Sequence, residues 1–250
     1  MNFCAPAPAY LSATDTEVFG IRIARANILS PADIAAAQSF CRSERVRLII
    51  ARCPTSSPEL IHALTKAGYL LMDTLVYYTC SVKKLLGNAY ATAIAVRHAC
   101  ADDATLVADL ARDSFRDCPS HYHADPRLDR AKCAEVYAYW AASSCRKGDA
   151  NEAVLVAEDG GRPVGFGIAR ITPEGMGDAV LAGVHPSCGR SGAHVFRALL
   201  YEGTRFVYAK GARRAFTSTQ LSNVVMLRLW TEAGWVPTDS VHTLHKWIDE

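Results

Sequence analysis

A chain of 250 residues, half of them hydrophobic and 21% charged, has the composition of a globular protein with one large core or two small ones. A net charge of +2 with scattered Lys and Arg excludes the basic stripe of a nucleic-acid binder, and no stretch approaches the roughly 18 uninterrupted apolar residues of a membrane span. The start "MNFCAPAPAYLSATDTE" lacks the basic and apolar regions of a secretory signal, so a cytoplasmic protein is expected, its nine dispersed cysteines mostly reduced and buried.

The first third alternates. A β-rich run "VFGIRIARANI" precedes the helix "SPADIAAAQSFCRSE", where Ser30 suits the cap and Pro31 the first turn. The strand "VRLIIARC", the helix "SSPELIHALTKAGY" with its Gly68 stop and the strand "LLMDTLVYYTC" complete a βαβαβ rhythm. No phosphate loop and no clustered titratable groups occur there, and Glu59 and Asp73 read as helix-start and surface charges. The polar "SVKKLLGNAYA" places a boundary near residue 90, which gives a small α/β unit over 1–90 and a second unit over 91–250.

The second unit opens with a strand, "AIAVRHAC", and a helix, "DDATLVADLARDSF", started by Asp102 or Asp103. "RDCPSHYHADPRLDR" reads as a long loop rich in His, Asp and Pro, and "AKCAEVYAYWAASSC" as a helix with Val136, Tyr139 and Trp140 able to share a face. Three strands follow, "AVLVAED", "RPVGFGIARIT" and "GDAVLAGVHP", the first two joined by the "DGGRP" turn. After "VHPSCGRSGAH", helical spacing runs from Val195 to Val207. Then come the strand "RRAFTST", the helix "SNVVMLRLWTEAGW" with Ser222 or Asn223 as cap and Gly234 as stop, and the strand "SVHTLHKWI".

A strand ending in Val-x-Pro, a short Gly-containing loop and an amphipathic helix aim backbone N–H groups and a positive helix end at one spot, an anion site in principle. Glycine serves ordinary turns equally well. The order around the loop adds a second signal: meander, loop, long helix, strand, then a helix with N-x-x-M-x-x-x-W-x-x-x-G-W. This arrangement, over roughly residues 93 to 250, resembles the GNAT superfamily of acyl-CoA-dependent N-acyltransferases. In that family V-x-P-x-x-(Gln/Arg)-x-x-G-x-(Gly/Ala) cradles the coenzyme A pyrophosphate. Val184, Pro186 and Gly192 stand at their places, Gly189 replaces the Gln or Arg beside Arg190, and His194 occupies the last small position.

The resemblance implies a mixed, mostly antiparallel α/β sheet with flanking helices and acetyl-CoA as co-substrate. It implies cofactor contacts from Val184, Arg190, Ser191, Gly192, Ala193, His194 and Asn223. A backbone N–H near Val184 would polarise the thioester carbonyl for direct attack by an amine. The family's general acid, a Tyr four residues before the terminating Gly, is Trp230 here, whose indole N–H donates a hydrogen bond but delivers no proton. Trp230 reads equally as core, and Asn223 equally as an N-cap.

The "SFRDCPSHYHADPRL" segment, the "YAYW" after it, the closing strand and the extra βαβαβ unit resemble a GNAT subgroup that acetylates nucleotide-linked deoxy amino sugars. By that resemblance His121, Tyr122, His123 and Asp125 line the acceptor side, with His121 or His123 as the base that accepts the ammonium proton. Arg127, Arg130 or Arg170 would meet the diphosphate. On "SVHTLHKWI", alternation puts Val241, Thr243, His245 and Trp247 on one face and His242 on the other, so that His245 faces either the cleft or the core. His-x-His with Asp125 also suits a metal, but no further ligand pair follows at a useful spacing, and none is expected. The partner is thus a small-molecule amine rather than nucleic acid or membrane, and a homodimer is one assembly open to it. The competing class is a GNAT fold without turnover that binds coenzyme A or a protein partner.

Overall fold

A computed structural model describes residues 9–87 and 93–248. The boundary expected near residue 90 falls on 88–92, outside the described residues.

Strand β1 (Ala9–Leu11) leads into helix α1 (Ala13–Phe19), started by Ser12, whose hydroxyl accepts from the Asp15 N–H, and ended by Gly20 at φ 72°. The apolar run "VFGIRIARANI" predicts strand from Val18. Gly20 supplies a left-handed turn instead, so Val18 and Phe19 close α1 and β2 is confined to Ile23–Asn27. Helix α2 (Pro31–Ser43) begins at the expected Ser-Pro, with Asp33 accepting from the Leu29 and Ser30 N–H groups. Then come β3 (Leu48–Pro54), α3 (Pro58–Lys66) and β4 (Leu70–Ser81). The "SVKKLLG" stretch, read as a polar boundary, folds as α4 (Val82–Gly87), because Val82 and Leu85 share one side and are buried.

The chain continues through β5 (Ala95–His98), α5 (Ala104–Phe115), α6 (His121–Ala124) and α7 (Arg130–Lys147). The expected long loop is therefore interrupted by one turn of helix, α6, and Asp129 caps α7 by accepting from the Ala131 N–H. The meander β6 (Glu152–Asp159), β7 (Arg162–Ile171) and β8 (Gly177–Val184) precedes α8 (Gly192–Ala209), β9 (Arg214–Gln220), α9 (Val224–Glu232) and β10 (Val236–Trp247).

Among the described residues one ten-stranded sheet runs β1-β2-β3-β10-β4-β9-β8-β7-β6-β5. Pairing is antiparallel except between β2 and β3 and between β8 and β9. This is the mixed, mostly antiparallel sheet with flanking helices read from the sequence. Strand β10 lies between β3 and β4, with Leu48 opposite Trp247 and Leu75 opposite Val241, so residues of the second unit fill the middle of the first.

The strand period of two divides this half of the sheet. Ile49, Ala51, Cys53 and Leu244 pack with the apolar sides of α2 and α3. Ile23, Leu48 and Ile50 face the other way, against Phe19, Tyr122, Val136 and Tyr137 of α1, α6 and α7. Each of these fully buried aliphatic side chains contributes about 1.5–3 kcal/mol. Register puts Arg25 opposite Ile50, Ile50 opposite His245, and Arg52 opposite Thr243, so charged groups share this second face.

Strands β8 and β9 pair only at Gly177 with Ala215 and Asp178 with Phe216, then diverge. Beyond that point a side chain replaces the ladder: the Thr217 hydroxyl donates to the Ala179 carbonyl at 3.0 Å. Gly183 lets β8 lie close under α5, since a Cβ there would meet Phe166 Cε1 at 2.6 Å and Ser114 Cβ at 2.7 Å.

Candidate active site

A cleft of about 630 Å³ occupies the gap between β8 and β9 and continues over the sheet face that carries Arg25 and Arg52. Asp15, Arg25, Arg52, His121, Tyr122 and Asp178 border it.

One line of hydrogen bonds ends in this cleft. His245 Nδ1 lies 2.8 Å from Asp125 Oδ2, and His245 Nε2 lies 2.9 Å from His121 Nδ1. Burial works against the Asp125 carboxylate, but hydrogen bonds from His245, the Arg127 N–H and the Trp247 indole outweigh it and hold the group below its usual range. A charged Asp125 is acceptor-only, so His245 Nδ1 carries a proton, and in a neutral His245 ring Nε2 accepts. His121 Nδ1–H is then the donor between the rings, which leaves His121 Nε2 as the basic nitrogen. Burial, with the charges of His245, Arg25 and Arg52 in support, pushes His121 well below its ordinary value. The ring is neutral at pH 7.

Sequence order explains how these groups meet. The one-turn helix α6 begins at Ser120 and carries His121 and Tyr122 inward, while the pleat of β10 turns Thr243 and His245 to the same side. Tyr122 anchors the turn: its hydroxyl donates to Asp15 at 2.7 Å, and Arg25 holds both Asp15 oxygens, at 2.7 Å and 3.1 Å. Asp73, expected as a surface charge, instead accepts the His121 backbone N–H at 3.2 Å, and burial raises its pKa.

Strand β8 contains a bulge. Ile168 of β7 pairs with Leu181 and Ala169 with Ala179, so Val180 stands outside the β7 ladder. Pairing with β9 has already ended at Asp178, so Val180 belongs to neither ladder, and it borders the cleft. Its neighbour Leu181 packs against the cluster containing Tyr122 and Tyr137.

Solved structures share this fold. A conserved protein of unknown function from Staphylococcus epidermidis ATCC 12228 superposes with a TM-score of 0.67 at 12% identity, covering 99% of this chain and 94% of that one. A GCN5-related N-acetyltransferase from Kribbella flavida gives 0.63 at 15% identity over 96% of this chain and 87% of that one. Another, from Sphaerobacter thermophilus, gives 0.62 at 15% identity over 97% and 78%. The fold is that of the GCN5-related N-acetyltransferases. No family model and no curated protein matches the sequence, so the likeness is one of architecture.

Within this GNAT fold the Val184–His194 stretch joins the splayed strand to α8. Pro186–Ser191 forms a tight turn of 3-10 helix in which Gly189 adopts φ 47° and ψ −123°, and the Gly192 N–H donates to the Gly189 carbonyl. Gly192 packs near Val184, Arg190 and Ser191 are exposed, Ala193 is half-buried, and His194 is exposed on the first turn of α8. The lining of the cleft takes in α8 from Phe196 onward and does not include Arg190–His194. Asn223 borders the cleft and also caps α9, accepting from the Met226 N–H at 3.3 Å.

Trp230 lies in the core against Phe196 and Trp235, at ring distances of 5.0 Å and 4.9 Å, with its indole N–H buried and unpartnered. His123 turns away from His121: its Nδ1 meets Ser120 Oγ at 2.9 Å in a separate recess that Arg130 also borders. The Arg127 guanidinium stacks 4.2 Å over the Trp247 ring, and Arg170 pairs with Asp178 at 2.7 Å. Of the three arginines expected to meet a diphosphate, only Arg170 reaches the cleft. Asp125, expected to contact substrate, is buried behind His245 and does not border the cleft. Arg25, Arg52 and Val180 carry no signal in the sequence that marks them as site residues. The arginines sit at alternate positions of apolar strands, the pattern of a solvated face, and the bulge arises only on pairing.

Proposed function

We propose that the protein is an acetyl-CoA-dependent N-acetyltransferase that acetylates a small-molecule amine by direct attack on the thioester. The observation that carries this reading is the Asp125–His245–His121 line, which ends at the cleft opened by β8 and β9.

The cofactor end of the site is the turn from Val184 to His194, with the α8 N-terminus favouring the coenzyme's phosphates. The splayed strands receive the pantetheine arm. The Val180 backbone N–H, outside both ladders, serves the thioester oxygen, and a preorganised donor of this kind is worth about 3 kcal/mol as the oxyanion forms. This moves the donor expected near Val184 four residues back along the strand.

His121 Nε2 is the base. The amine nitrogen attacks the carbonyl carbon, His121 takes a proton from the resulting adduct, the C–S bond breaks, and the coenzyme departs as thiolate. Asp125 and His245 are positioning residues: they orient the His121 ring and fix its tautomer. Trp230 takes no part in proton transfer. For the acceptor, a nucleotide-linked amino sugar is supported by the aromatic wall of Tyr10, Phe115, Tyr137 and Trp140, whose rings suit the flat faces of a sugar or base. A coenzyme-binding module without turnover is the second reading, favoured by Trp230 and by the engagement of the Gly192 N–H with Gly189.

A thermal-shift titration with acetyl-CoA and coenzyme A, followed by thiol release with candidate amines, tests the assignment. A ligand at about 100 times its Kd adds roughly 2.7 kcal/mol. A saturable rise that Gly192→Trp abolishes, together with thiol release, is the expected result. Binding without thiol release on any amine favours the module, and no shift at millimolar ligand removes both readings.

A further inference from the structure

The cleft wall carries two ion pairs and one cation over. Asp15 neutralises Arg25 and Asp178 neutralises Arg170, both at 2.7 Å. Among the described residues no carboxylate forms an ion pair with Arg52, which also borders the cleft and is half-buried. Asp73 feels the Arg52 charge but forms no ion pair with it. The position of Arg52 is fixed: it stands opposite Thr243 on β10, two residues from His245, and hydrogen-bonds the Tyr77 side chain. A planar guanidinium keeps several donors beyond one such bond. Arg52 is also close enough to His121 for its charge to disfavour protonation of that ring. A half-buried cation without an ion-pair partner is costly unless a ligand supplies one.

We infer that Arg52 is the anchor for an anionic group on the acceptor, a carboxylate or a phosphate, held on the same cleft wall as the base so that the amine of the same molecule reaches His121. This rests on the proposed acyl transfer for the identity of the second substrate, but the anion subsite itself does not. It narrows the acceptor to amines that carry their own negative charge and moves the diphosphate contact of a nucleotide-linked sugar to Arg52. Charge-assisted, bidentate capture is what a guanidinium offers and an ammonium does not.

The test compares glucosamine, glucosamine 1-phosphate, a nucleoside-diphosphate-linked amino sugar and β-alanine as acceptors for the full chain, its Arg52→Gln and its Arg52→Lys variants. Expected are a lower KM for the anionic amines than for glucosamine, a rise of tenfold or more in that KM in Arg52→Gln, and a several-fold smaller change in kcat/KM for glucosamine than for the anionic amines. Arg52→Lys, which keeps the charge, should fall between and guards against a misfolded Gln variant. Whether phosphate or carboxylate is the natural group is read from which amine shows the larger Arg52 effect. Calorimetric titration of the same amines without acetyl-CoA separates the two hypotheses. Binding that weakens tenfold in Arg52→Gln without acetyl transfer upholds the subsite and rejects the transferase. Equal affinity in wild type and both variants, or an equal loss for glucosamine and the anionic amines, overturns the subsite whatever the turnover.

Discussion

In the proposed acyl transfer His121 works as a neutral imidazole, and its burial gives that role a measurable signature. Replacing it with Gln, which cannot accept a proton in the same way, should lower kcat/KM roughly 10²–10⁴-fold, while the KM for acetyl-CoA stays near wild type. Thiol-release kinetics measure both. Asp125→Asn should retain part of the rate, because it disturbs the tautomer rather than removing the base. The depressed pKa also links to stability. The unfolded chain takes up this proton near pH 6.5 and the folded chain only well below it, so stability is full above pH 6.5 and declines as pH falls from there. Tm measured from pH 7.5 down to 5 should fall, and His121→Gln should flatten that fall. The residues of this line are legible in the sequence: His and Asp cluster in "SHYHAD", and strand alternation sets His245 apart from His242. Local sequence does not say which of two alternating faces another helix covers. Arg25 and Arg52 therefore read as solvent-facing, and only the cover of α1, α6 and α7 makes them cleft residues.

Helices of two or more turns and the strands between them announce themselves by period and by Ser-Pro or Gly punctuation, as at Ser30-Pro31 and Gly234. Short elements do not. Helices α1, α4 and α6 have seven, six and four residues, too few for a repeating pattern, and their existence depends on caps and on what they pack against. The same holds for the β8 bulge, a property of pairing rather than of any one strand. Its surroundings make a sharp prediction. Gly183→Ala places a methyl group into Phe166 and the Ser114 side chain, and should destabilise the fold by about 1–3 kcal/mol. Chemical denaturation reads this directly; an unchanged midpoint would mean that β8 does not lie as close to α5 as its geometry states.

At the scale of the molecule, the sequence suggests a small unit followed by a larger one, and the connectivity binds the two together. Leu48 meets Trp247 and Leu70 meets His245 across most of the chain's length, since β10 occupies the slot between β3 and β4 and also delivers His245. Such long-range pairing slows folding, because a large loop must close before the contacts form. Until β10 arrives, β3 and β4 each present a bare hydrogen-bonding edge, separated by one strand's width. That slot has no means of distinguishing its own β10 from the β10 of a second molecule. Refolding at rising protein concentration should therefore yield strand-exchanged dimers, detectable by size-exclusion chromatography with light scattering, and each exchanged dimer would complete its Asp125–His245–His121 line with a histidine borrowed from the other chain.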